Sequence, residues 1–271
     1  MVLILYLQKL ANQIMEWYLI LAVIGVGIVA GFINTLAGSG SLLTLPLLMF
    51  LGLPPNVANG TNRIGILFQS IVATSRFKQK KVLDTKVGLW LGIPSILGAI
   101  AGSIWAVNLT DEIMRIFIGV LLIVMFFIIL YKPDAWIKGQ AGKVKEKPSI
   151  LQIIIFFGIG LYGGFIQAGV GFFLLGGLVL GAGYDLVKAN AIKVFITLLF
   201  TVPALIVFIV NDQVNYILGF VLAIGSMIGA LIGTKVAISW GPKFVRYILL
   251  VAIFISAVKL LGGFEYIAKL L

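Results

Sequence analysis

The sequence predicts an all-α integral membrane protein made of two internal repeats. About 8–10 hydrophobic helical segments are expected, with one short or broken helix in each repeat. Three observations lead there. Of 271 residues, 61% are hydrophobic and 11% charged, with a mean hydropathy of +1.17. A soluble domain carries about 25% charged residues, so lipid must solvate this surface. Two runs, 17–62 and 148–184, contain no Asp, Glu, Lys or Arg over 46 and 37 residues. One crossing needs about 20 apolar residues, so each run folds back on itself. A β-barrel would alternate apolar and polar residues, and these runs do not.

The third observation is duplication. Gly31-Phe32-Ile33-Asn34 recurs as Gly164-Phe165-Ile166-Gln167, and Ala58-Asn59 as Ala189-Asn190. Gly98–Gly102 recurs as Gly229–Gly233, and Arg115 as Arg246. The last three matches hold one offset. The chain therefore divides into a first repeat, 1–131, a basic linker, 132–148, and a second repeat, 149–271. The first repeat reads as helical segments 17–36, 41–51, 57–77, 87–107 and 112–131. The second reads as 149–167, 172–180, 186–209, 216–237 and 243–261. The second segment of each copy is too short to cross alone at about 1.5 Å per residue. Glycines precede both: Gly38 and Gly40 in one copy, Gly169 and Gly171 in the other. A competing reading makes these short segments re-entrant and leaves eight true spans, each of about 20 residues.

Charge sets the expected orientation. Arg76, Lys78, Lys80, Lys81 and Lys86 mark one loop as cytoplasmic, and the linker with Lys138, Lys143, Lys145 and Lys147 is cytoplasmic too. In the second copy the pattern flips: Asn211 and Asp212 form the acidic loop and 235–246 the basic one. Equivalent loops then face opposite sides, which makes the repeats inverted, an arrangement that places a substrate near the midplane. The net charge of +11 is spent on this topology and implies no nucleic acid. Residues 1–10 lack a signal-peptide pattern, so the first apolar segment is expected to be retained. A multi-pass protein of the cell membrane is expected.

Cys and His are absent. Disulfides, thiolate chemistry and imidazole relays are thereby removed, and no cofactor, metal or enzyme activity is expected. No Asp or Glu falls inside a predicted span, so no midplane carboxylate is available for proton or sodium coupling. The intramembrane polar residues that remain are the site candidates. Asn59, Asn62 and Arg63 share one helix face, continued by Ser70 and Thr74. Asn190, Lys193, Thr197 and Thr201 form the matching stripe. Amides, one cation per copy and helix N-termini suit an anion. The alternatives are that Arg63 and Lys193 reach out to a headgroup layer and that Asn59 and Asn190 cap helices. Asn34 and Gln167 stand just before the glycine-rich breaks, where Gly38 and Gly40 leave backbone groups to be satisfied. The Gly98–Gly102 and Gly229–Gly233 spacings mark close helix packing.

The segment 31–77, GFINTLAGSGSLLTLPLLMFLGLPPNVANGTNRIGILFQSIVATSRF, resembles the first-repeat signature of the TauE/SafE sulfite exporter family, also called the toluene sulfonate uptake permease family. The segment 164–193, with GFIQAGVGFF and KANAIK, is similar to its second repeat. The resemblance implies a membrane transporter of sulfur-containing oxyanions or organosulfonates. It points to Asn34, Gly38, Gly40, Asn59, Asn62, Arg63, Gln167, Asn190 and Lys193 as substrate contacts. The expected partners are a small anion and the lipid bilayer, with a homo-oligomer left open. Export driven by the membrane potential is the expected mode; a coupled transporter or channel for another solute and a non-transporting scaffold are the alternatives.

Overall fold

The computed structural model describes residues 17–118, 120 and 148–260. Its helices are α1 (Trp17–Ala37), α2 (Ser41–Phe50), α3 (Pro55–Gln79), α4 (Thr85–Val107), α5 (Ile150–Phe165), α6 (Val170–Gly176), α7 (Leu186–Val210) and α8 (Tyr216–Leu260). Residues 111–118 are also helical. A π-helical turn, Gly177–Gly181, continues α6. The rest of the predicted segment 112–131, most of the linker 132–148 and residues 261–271 lie outside the described residues.

Local chemistry sets the helix starts. Asp84 Oδ1 accepts from the Val87 N–H and caps α4. Ser149 and Gln152 form a reciprocal capping box at α5. Asp185 Oδ1 accepts from the N–H groups of Val187 and Lys188 at α7. Pro55 occupies the first turn of α3, where its missing N–H costs nothing. Between α1 and α2, and before α6, the chain turns at Gly38 (φ 79°) and Gly169 (φ 72°), a left-handed conformation that glycine adopts without a Cβ penalty.

The second copy departs from expectation at its end. Segments 216–237 and 243–261, with a basic loop at 235–246, were separate in the sequence pattern; the backbone is one helix of 45 residues, Tyr216–Leu260. Lys and Arg are good helix formers, so a cluster of them does not by itself end a helix. At 1.5 Å per residue this helix is about 67 Å long, over twice a bilayer core of about 30 Å. Its membrane-crossing part is Tyr216–Ser239.

Among the described residues, α1, α4, α7 and that part of α8 are long and apolar enough to cross a bilayer. They carry exposed Leu21, Ile93, Leu97, Ile206, Ile217 and Phe220, the pattern of a lipid-facing surface. Helix α3 has the length, at 25 residues, but is rich in polar side chains; those from Asn56 to Thr74 are buried, and Ser75, Arg76, Lys78 and Gln79 at its end are exposed. Helices α3 and α7 pack against each other at the centre. Helix α8 lies against α1 and α3, and α4 lies against α5 and α7.

Two glycine crossings hold the pairs together. On α1, Gly27 and Gly31 meet the α8 backbone at Gly225 and Ser226, and Gly229 meets α1 in return. On α5, Gly160 and Gly164 meet Ser95 and Ala99 of α4, where Gly98 and Gly102 face back. Such contacts allow backbones to approach closely where no water is available to drive association. Hydrogen bonds tie the helix ends. Asn56 Nδ2 donates to the Leu109 carbonyl at 2.8 Å, and Thr61 Oγ1 accepts from the Asn215 N–H at 2.8 Å. At the opposite ends Tyr184 donates to Asp84 Oδ2 at 2.9 Å. Burial, then the hydrogen bond to Asp84 and its charge, raise the Tyr184 phenol above its ordinary range, so it remains a donor at neutral pH.

A Cβ on Gly164 would overlap the Ala99 backbone, whereas one on Gly25 meets nothing within 4 Å. Gly164→Val is expected to cost about 1–3 kcal/mol by overpacking, and Gly25→Ala almost nothing. Thermal unfolding of both variants in one detergent compares them; equal midpoints would remove this crossing from the set of contacts that hold the fold.

Candidate functional site

A helix that ends inside a bilayer leaves its last carbonyls without partners. Helices α1 and α5 both end out of reach of water within the bundle, at buried Ala37 and buried Phe165. Each end is met by a cation from the other half of the chain. Lys193 Nζ, on α7, donates to the carbonyls of Asn34 and Thr35 at 2.9 Å each and to Asn190 Oδ1 at 2.8 Å. Arg63, on α3, donates from Nη1 to the Gly163 carbonyl at 3.1 Å and from Nη2 to the Gly164 carbonyl at 2.6 Å. Asn59 Nδ2 adds a bond to the Phe165 carbonyl at 2.8 Å. The guanidinium carbon also lies 4.5 Å from the centre of the Phe208 ring.

These contacts decide between the readings left open by the sequence. Arg63 and Lys193 are 0% and 2% exposed, so neither extends to a headgroup layer. Asn59 and Asn190 do not cap their own helices: Pro54 and Asp185 hold the N-cap positions of α3 and α7. The cations sit at helix C-termini, whose partial negative charge favours them.

Where the two breaks meet, the Gly171 N–H donates to the Gly38 carbonyl at 3.3 Å. A Cβ on either glycine would strike the backbone of the other. Beside this contact lies a small, partly polar cavity of about 10 Å³, room for about one water molecule. Asn34, Gly38, Gln167 and Lys193 line it, together with Gln69, Ser70 and Thr197. Asn34 Nδ2 donates to Gln69 Oε1 at 3.2 Å, and Gln167 Nε2 donates to Thr201 Oγ1. Ser70 Oγ and Gln167 Oε1 are buried without a partner among the described residues. Buried polar groups are nearly always paired, so the bare hydroxyl and amide oxygen mark room for water or a guest.

Of the nine residues singled out from sequence, four line the cavity and five do not. Asn190 touches it indirectly through Lys193. Arg63 and Asn59 form the α5 clamp instead. Asn62 Oδ1 accepts from Thr44 Oγ1 at 2.6 Å and ties α3 to α2. Gly40 serves packing, since a Cβ there would overlap the Ala30 carbonyl of α1. Gln69 escaped the sequence reading, although an uncharged polar residue seven places after Asn62 keeps its helix face and is itself a signal.

A bundle of apolar helices around a buried polar cavity at two helix breaks is the build of a multi-pass membrane transporter. The profile described as "Sulfite exporter TauE/SafE" matches residues 23–260, and the chain belongs to that family. It is 28% identical over 256 residues to the probable membrane transporter protein ORF9 of Sinorhizobium sp, covering 94% of this chain and 95% of that one. It is 29% identical over 240 residues to the probable membrane transporter protein YfcA of Escherichia coli K12, covering 87% of each. With the probable membrane transporter protein MJ0441 of Methanocaldococcus jannaschii it shares 25% over 243 residues, covering 83% of this chain and 88% of that one. No solved structure matches the chain significantly.

Arg63→Met removes two charged hydrogen bonds to buried carbonyls, each worth about 1.5–3 kcal/mol. A large fall in thermal stability is expected, with Arg63→Lys recovering part of it, because one ammonium replaces a planar fork. Ser70→Ala removes an unpaired hydroxyl and should leave stability nearly unchanged. Melting curves in detergent give the order; a stable Arg63→Met protein would mean that the α5 end needs no cation.

Proposed function

We propose that the chain carries a small sulfur-containing oxyanion or organosulfonate, of the sulfite type, out of the cell through the cavity beside Gly38 and Gly171. The observation that carries this reading is the Lys193 ammonium in the cavity wall, with no Asp or Glu in the membrane-spanning helices among the described residues. Its bonds go to neutral oxygens alone, so its charge is left for a guest anion. Ser70, Gln69 and Thr197 offer donors that suit oxyanion oxygens. Membership of a sulfite exporter family supports the substrate class.

We further infer that the two copies are inverted about an axis in the membrane plane. If α1 corresponds to α5 and α4 to α8, the pairing of α1 with α8 and that of α5 with α4 are one interface seen twice. The pairings of α3 with α8 and of α7 with α4 are another, and α3 on α7 is the self-contact on the axis. Each cation then caps the first helix of the opposite copy. A substrate at the midplane between inverted repeats is a transporter arrangement.

Export needs no second ion. A potential of 100 mV, negative inside, contributes about 2.3 kcal/mol per charge and holds a monovalent anion about 40-fold lower inside at equilibrium. Uptake would work against the same potential. The test is sulfite flux in proteoliposomes under a potassium–valinomycin potential, without a proton or sodium gradient. Potential-driven flux is expected, weakened in Lys193→Met by the loss of a charged contact worth about 1.5–3 kcal/mol. Flux that requires a proton or sodium gradient would replace uniport by coupling. Unchanged flux in folded Lys193→Met would move the site elsewhere.

A further inference from the structure

Away from the central cavity, a groove of about 580 Å³ runs between the C-terminal half of α3 and α8. It carries three cations: Arg76 in the last turn of α3, Lys80 at that helix's C-cap and Lys235 of α8. Among the described residues none of the three forms an ion pair, since the single bridge there joins Lys188 to Asp185. On the N-terminal side of Lys235 the α8 lining is apolar, with Leu231 and Ile232 exposed, and half-buried Ile238 follows one turn beyond it. Three unpaired cations at the end of an apolar trough match an anionic head on an acyl tail. Basic pockets between membrane helices take anionic lipid headgroups in this way.

We propose that this groove binds one anionic diacyl phospholipid, its phosphate at Arg76, Lys80 and Lys235 and an acyl chain along Leu231 and Ile232. The site is independent of the transported substrate. It bridges a central helix, α3, and an outer one, α8, so its occupant fastens the contact between them on the face that carries the basic loop.

The test uses the purified full chain in a neutral detergent, read by native mass spectrometry. Dioleoylphosphatidylglycerol and dioleoylphosphatidylcholine are added at equal concentration. One retained phosphatidylglycerol is expected, preferred roughly tenfold or more. The triple variant Arg76→Gln, Lys80→Gln, Lys235→Gln should bring the two lipids to parity. The control Lys78→Gln, Lys81→Gln, Lys86→Gln removes as much charge from the same face outside the groove and should keep the preference. Ile232→Trp fills the apolar part with every charge intact and should lose the bound lipid. Equal loss in the control would mean a diffuse basic surface and overturn the site. Retention in Ile232→Trp would overturn the acyl half, and displacement by equimolar glycerol 3-phosphate would make the ligand a free phosphate ester instead. Should the triple variant fail to fold, Lys235→Gln alone, with Ile232→Trp, decides between these outcomes.

Discussion

Two helices of this protein end buried inside the bundle, and much of the centre follows from that. A helix C-terminus cannot leave its last carbonyls bare where water is excluded. Arg63 closes the end of α5 and Lys193 the end of α1. Each cation is in turn affordable only because it lies on oxygens at the negative end of a helix. Neither partner is stable there without the other. The two clamps therefore fix α3 and α7 at the centre, since no other position brings Arg63 and Lys193 to the opposite helix ends.

The clamps also make the cavity. Ending α1 at Ala37 and α5 at Phe165 frees the chain to turn at Gly38 and Gly169, and the turns bring Gly38 and Gly171 into backbone contact. Helices that ran on would fill this space with apolar side chains. Instead the wall carries Asn34, Gln69, Ser70, Gln167, Lys193 and Thr197 beside Ile66, Val170 and Val194. Under the proposed transport route, structural and functional demands both fall on Lys193. Lys193 holds the α1 end and faces the cavity, whereas Arg63 holds the α5 end and does not. The two cations look equivalent in sequence and differ in what surrounds them.

The sequence shows the bundle clearly, because composition and charge-free runs leave few alternatives for a chain that lipid must solvate. It shows the polar stripe on α3 and α7 equally well, since buried amides and cations stand out against apolar neighbours. What it does not show is the partner of each polar group. Capping of Asn34 and Thr35 by Lys193 spans 159 and 158 residues of chain. No local pattern distinguishes an ammonium aimed at carbonyls from one aimed at an anion. The basic segment 235–246 misled for a related reason: charge reports which side of a membrane a stretch faces, not whether its backbone turns.

The repeat itself is subtler than its motifs. Gly31-Phe32-Ile33-Asn34 and Gly164-Phe165-Ile166-Gln167 match in sequence. In space the crossings put Gly31 against Ser226 but Gly160, not Gly164, against Ser95. The clamped carbonyls agree, with Asn34 and Thr35 on one side and Gly163 and Gly164 on the other. Under the proposed two-fold relation, the matching motifs stand four residues apart, about one helical turn or 6 Å. Asn34 then lies in the last turn of its helix, while Gln167 follows an extended residue, Ile166 (φ −137°, ψ 120°), in the link to α6. The same sequence motif thus presents an amide to the cavity from a helix in one half and from an unwound segment in the other. Under the proposed relation, the difference between the halves is concentrated at residues that line the cavity.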